Sequence, residues 1–111
     1  MKVYRIYTCT QWETSGQHLP LLPLDIKDGY IHLSTHDSII PTANRYFSSE
    51  SEIIVLCFDG TLFGTALKME YVAQRNSSFP HLYAPVLLKK DILSIHHLKN
   101  SNEGFLWPRE A

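Results

Sequence analysis

An unbroken apolar run at residues 53–58 (Ile-Ile-Val-Leu-Cys-Phe) constrains the fold more than any other feature of this sequence. Asp59-Gly60 closes the run with a turn signal, and its length and β-branched content are typical of a strand. A strand that is apolar at every position must be covered on both faces. The sequence therefore predicts a central strand here, with other elements packed on both sides of it.

Further strands are predicted where residues alternate between polar and apolar types or form short apolar and aromatic runs. These segments are residues 3–8, 30–34, 67–72, 79–83 and 92–98. A short helix is predicted after Thr10, which can act as its N-cap. A second helix is expected to start at Pro41 after a turn at 36–40, because proline is disfavoured inside a helix. Two prolines and an Asp-Gly predict an irregular connection over 19–29.

Five or six strands with two or three short helices, in no regular alternation, predict an α+β fold with a small mixed or split β-sheet. The 111 residues, 44% hydrophobic and 19% charged, can bury one core and are expected to form a single domain, 1–111. Residues 100–111 are predicted to be a loose C-terminal tail. Phe105 and Trp107 are nevertheless expected to fold back onto the core.

The charge and cysteine content restrict the classes of partner. The formal net charge is -1 and the cations are scattered, which disfavours duplex nucleic acid because that binding neutralises many phosphates at once. A single nucleotide remains compatible with this charge. The sequence has no apolar run long enough to cross a membrane, and Cys9 and Cys57 lack any paired or metal-binding spacing. Both are expected to be free thiols, and a cytoplasmic location is expected.

Polar side chains recur two positions apart on three of the predicted strands, and residues at that spacing share a face. If these faces converge, they form a cleft in which histidines lie beside carboxylates and a cation. We therefore predict two groups of functional residues. The predicted catalytic residues are His32, Glu70 and His81, and the predicted ligand-binding residues are Asp28, Ser34, Thr35, Lys68 and Tyr83.

Each of these residues also has a purely structural interpretation. His32 can be a half-buried, hydrogen-bonded histidine, and Ser34 or Thr35 can cap the next helix. Lys68 and Glu70 can form an exposed pair contributing roughly 0–1 kcal/mol. His32 and His36 have helical metal-ligand spacing, but His32 lies on a predicted strand, so no metal site is predicted.

Several motifs occur in order along most of the chain: Pro23-Leu24-Asp25, Asp28-Gly29-Tyr30-Ile31-His32-Leu33-Ser34-Thr35, Thr42-Ala43, Phe47, Leu67-Lys68-Met69-Glu70 and Phe79-Pro80-His81-Leu82-Tyr83. Together they resemble the bacterial family known as domain of unknown function 952. The sequence departs from the family pattern at Leu21-Leu22, at Ala84 and in the loop 74–78. These departures affect the expected rim of the cleft.

The resemblance implies a fold related to the ADP-ribosyltransferases, in which a split sheet holds a dinucleotide. The strand with His32 is similar to the histidine-containing strand of RNA 2'-phosphotransferases. The resemblance implies no established activity. One hypothesis is a transferase acting on NAD or a related nucleotide, with His32 positioning ribose and Glu70 stabilising positive charge or activating an acceptor. Lys68 or Tyr83 would hold phosphate or base. The alternative is a non-catalytic module that binds a nucleotide or small metabolite. NAD is thus a possible ligand.

Overall fold

The computed structural model of the protein describes residues 1–108. In that part of the chain, eight strands and three α-helices form the framework, and three short 3-10 segments connect them. The strands are β1 (Lys2–Thr8), β2 (His18–Leu19), β3 (Ile31–His32), β4 (Glu52–Asp59), β5 (Leu67–Val72), β6 (Ser77–Leu82), β7 (Leu87–Leu88) and β8 (Ser94–Lys99). The helices are α1 (Cys9–Glu13), α2 (Pro23–Asp28) and α3 (His36–Tyr46).

Strand β4 lies in the middle of the main antiparallel sheet, between β1 and β8. Its alternate side chains enter two different hydrophobic clusters, one on each face of the sheet. The cluster on one face includes Ile54, Leu56 and Phe58, together with Ile31 and Leu33. This arrangement confirms the central, doubly covered strand that the apolar run predicts.

The opposite face of β4 packs against α3 and the C-terminal segment. Ile53 and Val55 share this cluster with Ile39 and Ala43 of α3, and with Phe105. Phe105 is completely buried, and its backbone N–H donates to Asn44 Oδ1 at 2.7 Å. The predicted return of Phe105 to the core is therefore confirmed. Part of the segment 100–111, which was predicted to be loose, is accordingly packed. Residues 109–111 lie outside the described residues.

Two smaller sheets complete the structure, one in the order β2-β7 and the other in the order β3-β6-β5. The latter is attached to the main sheet by a reciprocal pair of 2.8 Å backbone hydrogen bonds between Tyr4 and Ser34. All strand pairs among residues 1–108 are antiparallel, so the α+β class is confirmed but a mixed sheet is wrong. The number of strands exceeds the predicted number because two strands of only two residues, β2 and β7, were not predicted.

The connection predicted over 19–29 contains helix α2, so the prediction of an irregular segment is wrong. Pro23 occupies the first turn, where a missing N–H costs little. Gly29 ends the helix in a left-handed conformation with φ 82°, and its N–H donates to the carbonyl of Asp25 at 2.9 Å. The sequence thus carried both a start and a stop signal for this helix.

Helices α1 and α3 begin earlier than predicted. Thr8, not Thr10, caps α1 by accepting a hydrogen bond from the N–H of Gln11 at 3.1 Å. Helix α3 runs uninterrupted through Pro41, so the predicted break at 36–40 is wrong. Thr35 caps this helix, and the buried side chains of α3 supply the packing that offsets the hydrogen bond lost at proline.

Both cysteines are free, with Cys57 buried and Cys9 half-buried. Within residues 1–108, none of the helices has both the length and the apolar character needed to span a membrane.

Candidate functional site

A cleft of about 690 Å³ lies where the β3-β6-β5 sheet meets β1, α2 and α3. Four of the residues predicted for the site line it, which are Asp28, His32, Ser34 and His81. His32 and His81 face each other across the β3–β6 pairing, and their ring centroids are 5.8 Å apart. The structure therefore brings the two histidines into one cavity.

A buried ion pair lies at the base of this cleft. Arg5 of β1 and Asp25 of α2 are almost fully buried, and both Nη atoms of Arg5 donate to the Asp25 carboxylate. Arg5 Nη1 also donates to the backbone carbonyl of His32 at 3.0 Å. The pair thus ties the first strand and α2 to the strand that carries His32.

Asp25 also fixes the imidazole ring of His32. Its Oδ1 lies 2.8 Å from His32 Nδ1 and accepts the backbone N–H of His32 at 3.0 Å. Burial alone opposes ionisation, but hydrogen bonds from His32 and Arg5 and the charge of Arg5 hold the pKa of Asp25 well below its usual range. Because an ionised carboxylate only accepts, the proton in this contact belongs to Nδ1.

The second nitrogen of His32 faces another carboxylate. Asp28 Oδ2 lies 3.0 Å from His32 Nε2, and both side chains are about 30% exposed. The contact is a hydrogen bond when either Nε2 or Asp28 carries a proton. His32 and Asp28 are therefore in direct contact at the mouth of the cleft.

His81 is held from the opposite side by a carboxylate and a phenol. Glu70 Oε1 lies 2.9 Å from His81 Nδ1 and accepts the hydroxyl of Tyr83 at 2.6 Å. The hydrogen bonds from Tyr83 and His81 lower the pKa of Glu70. The hydrogen bond between Tyr83 and Glu70 also raises the pKa of Tyr83 to about 12. Glu70 is thus an ionised acceptor that assigns the proton to His81 Nδ1.

This arrangement leaves His81 Nε2 as the nitrogen available to a ligand. None of the other residues in 1–108 forms a hydrogen bond with it, and the His81 ring lines the cleft. With Nδ1 protonated, the neutral ring presents a lone pair at Nε2, which can accept a hydrogen bond or a proton.

Tyr30 connects the two histidines. Its ring stacks on His81 with centroids 4.0 Å apart and planes inclined by 18°, and it lies 4.6 Å from the His32 ring. Burial, with the neighbouring charges of Asp28 and Glu70, raises the pKa of Tyr30, which keeps its hydroxyl protonated. The stacked ring restricts the orientation of His81.

The other four predicted residues lie outside the cleft lining. Glu70 and Tyr83 stand behind His81, so Glu70 does not face the cavity as a catalytic group would. Lys68 is directly opposite His81 in the sheet register, but its side chain is exposed outside the lining. Thr35 caps α3, and Ser34 lines the cleft while its backbone pairs with Tyr4.

Among residues 1–108, no group of three or more potential ligands is arranged for a metal ion.

Three residues of the site, Arg5, Asp25 and Tyr30, were not predicted from the sequence. Arg5 occupies a polar position in an alternating strand, which normally indicates solvent exposure. Asp25 appeared only within the motif Pro23-Leu24-Asp25, whose Pro23 marks the helix start. An acidic residue in the first turn after a helix start often interacts with the helix N-terminus, and this position was the only sign in the sequence that Asp25 has a structural role.

Comparisons with known proteins agree with this fold. The X-ray structure of protein CC0527 from Caulobacter crescentus superposes with a TM-score of 0.83 at 25% identity, covering 95% of this chain and 92% of that one. The solution NMR structure of CC0527 gives a TM-score of 0.79 at 25% identity, with 94% and 90% covered. A comparison with curated proteins finds no match. A family model described as protein of unknown function (DUF952) matches residues 6–94, and the chain therefore belongs to the DUF952 family.

Proposed function

We propose that the cleft binds a nucleotide of the NAD type and that the protein is a transferase acting on it, related to the ADP-ribosyltransferases. The main support is a pair of histidines on adjacent strands, each held at Nδ1 by a carboxylate, in one cavity of about 690 Å³. That volume lies within the range of small-molecule sites. The two rings are close enough to contact one ligand together.

His81 is the proposed general base. Glu70 orients the ring, and Nε2 accepts the proton of an acceptor hydroxyl as that oxygen attacks the ribose carbon. The bond from this carbon to nicotinamide breaks, and its electron pair remains on the departing nicotinamide nitrogen. In this proposal Glu70 acts through His81, which replaces the direct catalytic role predicted for it.

His32 and Asp28 are the proposed ribose-binding unit. Carboxylate oxygens accept hydrogen bonds from vicinal hydroxyls, and Asp28 is the exposed carboxylate at the mouth of the cleft. His32 holds Asp28 through Nε2 and is itself held by Asp25. A ribose diol would therefore meet an acceptor whose position is fixed before the ligand arrives.

One observation favours the alternative of a non-catalytic nucleotide-binding module. Both ring nitrogens of His32 already face carboxylates, so this histidine acts as a positioned contact, and His81 alone is left to transfer a proton. In that alternative the same residues bind the nucleotide without chemistry. The two functions differ only in whether product is formed.

Calorimetric titration with NAD tests the shared premise. We expect NAD to bind the wild-type protein, and we expect His32→Ala and His81→Ala to weaken binding. The control is His97→Ala, which removes an exposed histidine from strand β8. Failure of NAD to bind, or equal affinity in all four proteins, would contradict the proposal.

Chromatographic detection of released nicotinamide separates the two functions. The transferase predicts slow release with water as acceptor, and loss of that release in His81→Ala. Binding of NAD with no release in the presence or absence of added hydroxyl acceptors supports the binding module instead.

A further inference from the structure

The walls of the cleft carry more positive charge than their carboxylates can neutralise. The lining includes four cationic side chains, Arg5, Lys27, Arg45 and Arg75, but only two carboxylates. The whole chain, in contrast, has a formal net charge of -1. Positive charge is therefore concentrated in this cavity.

Both carboxylates are already engaged. Asp25 forms the buried ion pair with Arg5, and Asp28 faces His32. Within residues 1–108, Lys27, Arg45 and Arg75 form no ion pair with a carboxylate. Four cations against two carboxylates leave two positive charges of the cleft lining without a compensating charge.

Arg75 is held in place by three neighbours. Its Nη2 donates to Thr42 Oγ1 at 3.1 Å, and its guanidinium carbon lies 4.7 Å from the ring centroid of Phe79 and 5.5 Å from that of Tyr46. Contacts with aromatic faces and one hydroxyl leave other N–H groups of the guanidinium available. The side chain is therefore ordered without being neutralised.

Arg45 contacts the same tyrosine. Its Nε donates to the hydroxyl of Tyr46 at 3.2 Å, and its guanidinium carbon also lies 5.5 Å from the Tyr46 centroid. Tyr46 therefore contacts both Arg45 and Arg75. Two guanidinium groups on one aromatic side chain form a wall that suits a ligand of several negative charges.

We propose that Arg45 and Arg75, with Lys27, form a subsite for a phosphoryl group, and that a diphosphate is the group it accommodates. The proposal rests on the proposed function, since it names the phosphate-binding part of the same cleft. Phe79, which supports Arg75, and His81 are two residues apart on one face of β6, about 7 Å along the strand. A nucleotide diphosphate can therefore contact the arginines while its ribose lies near the histidines.

The assignment moves the phosphate site away from Lys68 and Tyr83, for which the sequence suggested that role. Neither of those two lines the cleft, and Tyr83 is bonded to Glu70. Arg45 and Arg75 come from α3 and from the segment after β5, so they form a different wall from the histidines.

The test is a titration of the full chain with inorganic pyrophosphate, followed by amide chemical shifts in NMR. We expect binding that moves the signals of cleft residues and weakens as salt is added. Arg45→Gln and Arg75→Gln should each weaken binding by about tenfold, because each removes charge-assisted hydrogen bonds. Lys99→Gln is the matched control, since it removes an exposed positive charge on β8.

Parallel titrations with ADP and adenosine identify the source of the phosphoryl group. Tighter binding of ADP than of pyrophosphate supports a nucleotide, and equal affinity supports a free phosphate ligand at the same subsite. The proposal is overturned if pyrophosphate does not bind, or if Arg45→Gln and Arg75→Gln bind it as tightly as Lys99→Gln does. Melting curves of the variants verify that they are folded.

The outcome for the subsite is separable from the outcome for the proposed function. If pyrophosphate binds through the arginines but NAD affinity is unchanged in His32→Ala and His81→Ala, the subsite stands and the proposed function fails. If NAD depends on the histidines but not on either arginine, the subsite fails alone.

Discussion

Arg5 and Asp25 form a buried ion pair although they are 20 positions apart in the chain, and only 3% and 2% of their side chains are exposed. Removing one partner leaves a charge without compensation in the interior. Asp25→Asn should therefore lower the free energy of unfolding by about 3–5 kcal/mol. Urea denaturation measures this loss. Asp28→Asn, at a partly exposed carboxylate, should cost far less, and equal losses would show that the pair is not important for stability.

The stabilisation by Asp25 should depend on pH. The pKa of Asp25 in the folded protein lies below its value in the unfolded chain, about 3.9, so the stabilisation is present above that value and is lost as the pH falls towards the folded pKa. The difference in unfolding free energy between wild type and Asp25→Asn should therefore shrink from pH 6 to pH 3. The pKa of Glu70 is also lowered, so the difference in unfolding free energy between wild type and Glu70→Gln is measured over the same pH range for comparison. A difference that stays constant with pH would contradict this linkage.

His32, on β3, and Leu33, which follows it, should respond differently to truncation. Leu33 is 3% exposed and belongs to the core cluster, so Leu33→Ala should cost about 2–5 kcal/mol. His32→Ala should cost less, because 28% of its side chain is exposed, and should affect ligand affinity instead. Thermal melting and NAD calorimetry on the two variants measure both effects. Equal destabilisation with unchanged affinity would identify His32 as a structural residue.

The hydroxyl of Tyr83 should titrate near pH 12, because its hydrogen bond to Glu70 raises its pKa. Glu70→Gln removes the negative charge and should lower that pKa. NMR of ring-labelled tyrosine follows the titration. Tyr83→Phe identifies the signal, and a Tyr83 pKa that is the same in wild type and Glu70→Gln would argue against the contact.

The most predictable parts of this fold are those in which local sequence and tertiary packing favour the same conformation. The apolar run at 53–58 predicts β4 because its residues can only be buried on both faces, and β5 follows from its alternation. Helix α3 was harder to predict, since Pro41 disfavours a helix locally. The buried Ile39 and Ala43 outweigh that preference through contacts that are distant in sequence.

Strand periodicity predicted only those parts of the candidate site whose side chains share a strand face. Alternation placed His32 and His81 on converging faces, and the structure brings them together. Periodicity cannot show which residue of another segment a side chain meets, so the Arg5–Asp25 pair was missed. For the same reason Lys68 was assigned to the cavity, although its long side chain extends outside the lining.

The backbone of His32 is fixed independently of its imidazole. Its N–H donates to Asp25 and its carbonyl accepts from Arg5, and both contacts are available to almost any residue at this position. Evolution can therefore exchange the side chain at position 32 without detaching the strand. Homologues that keep arginine and aspartate at positions 5 and 25 but replace this histidine would retain the architecture while acquiring a different chemistry in the same cleft.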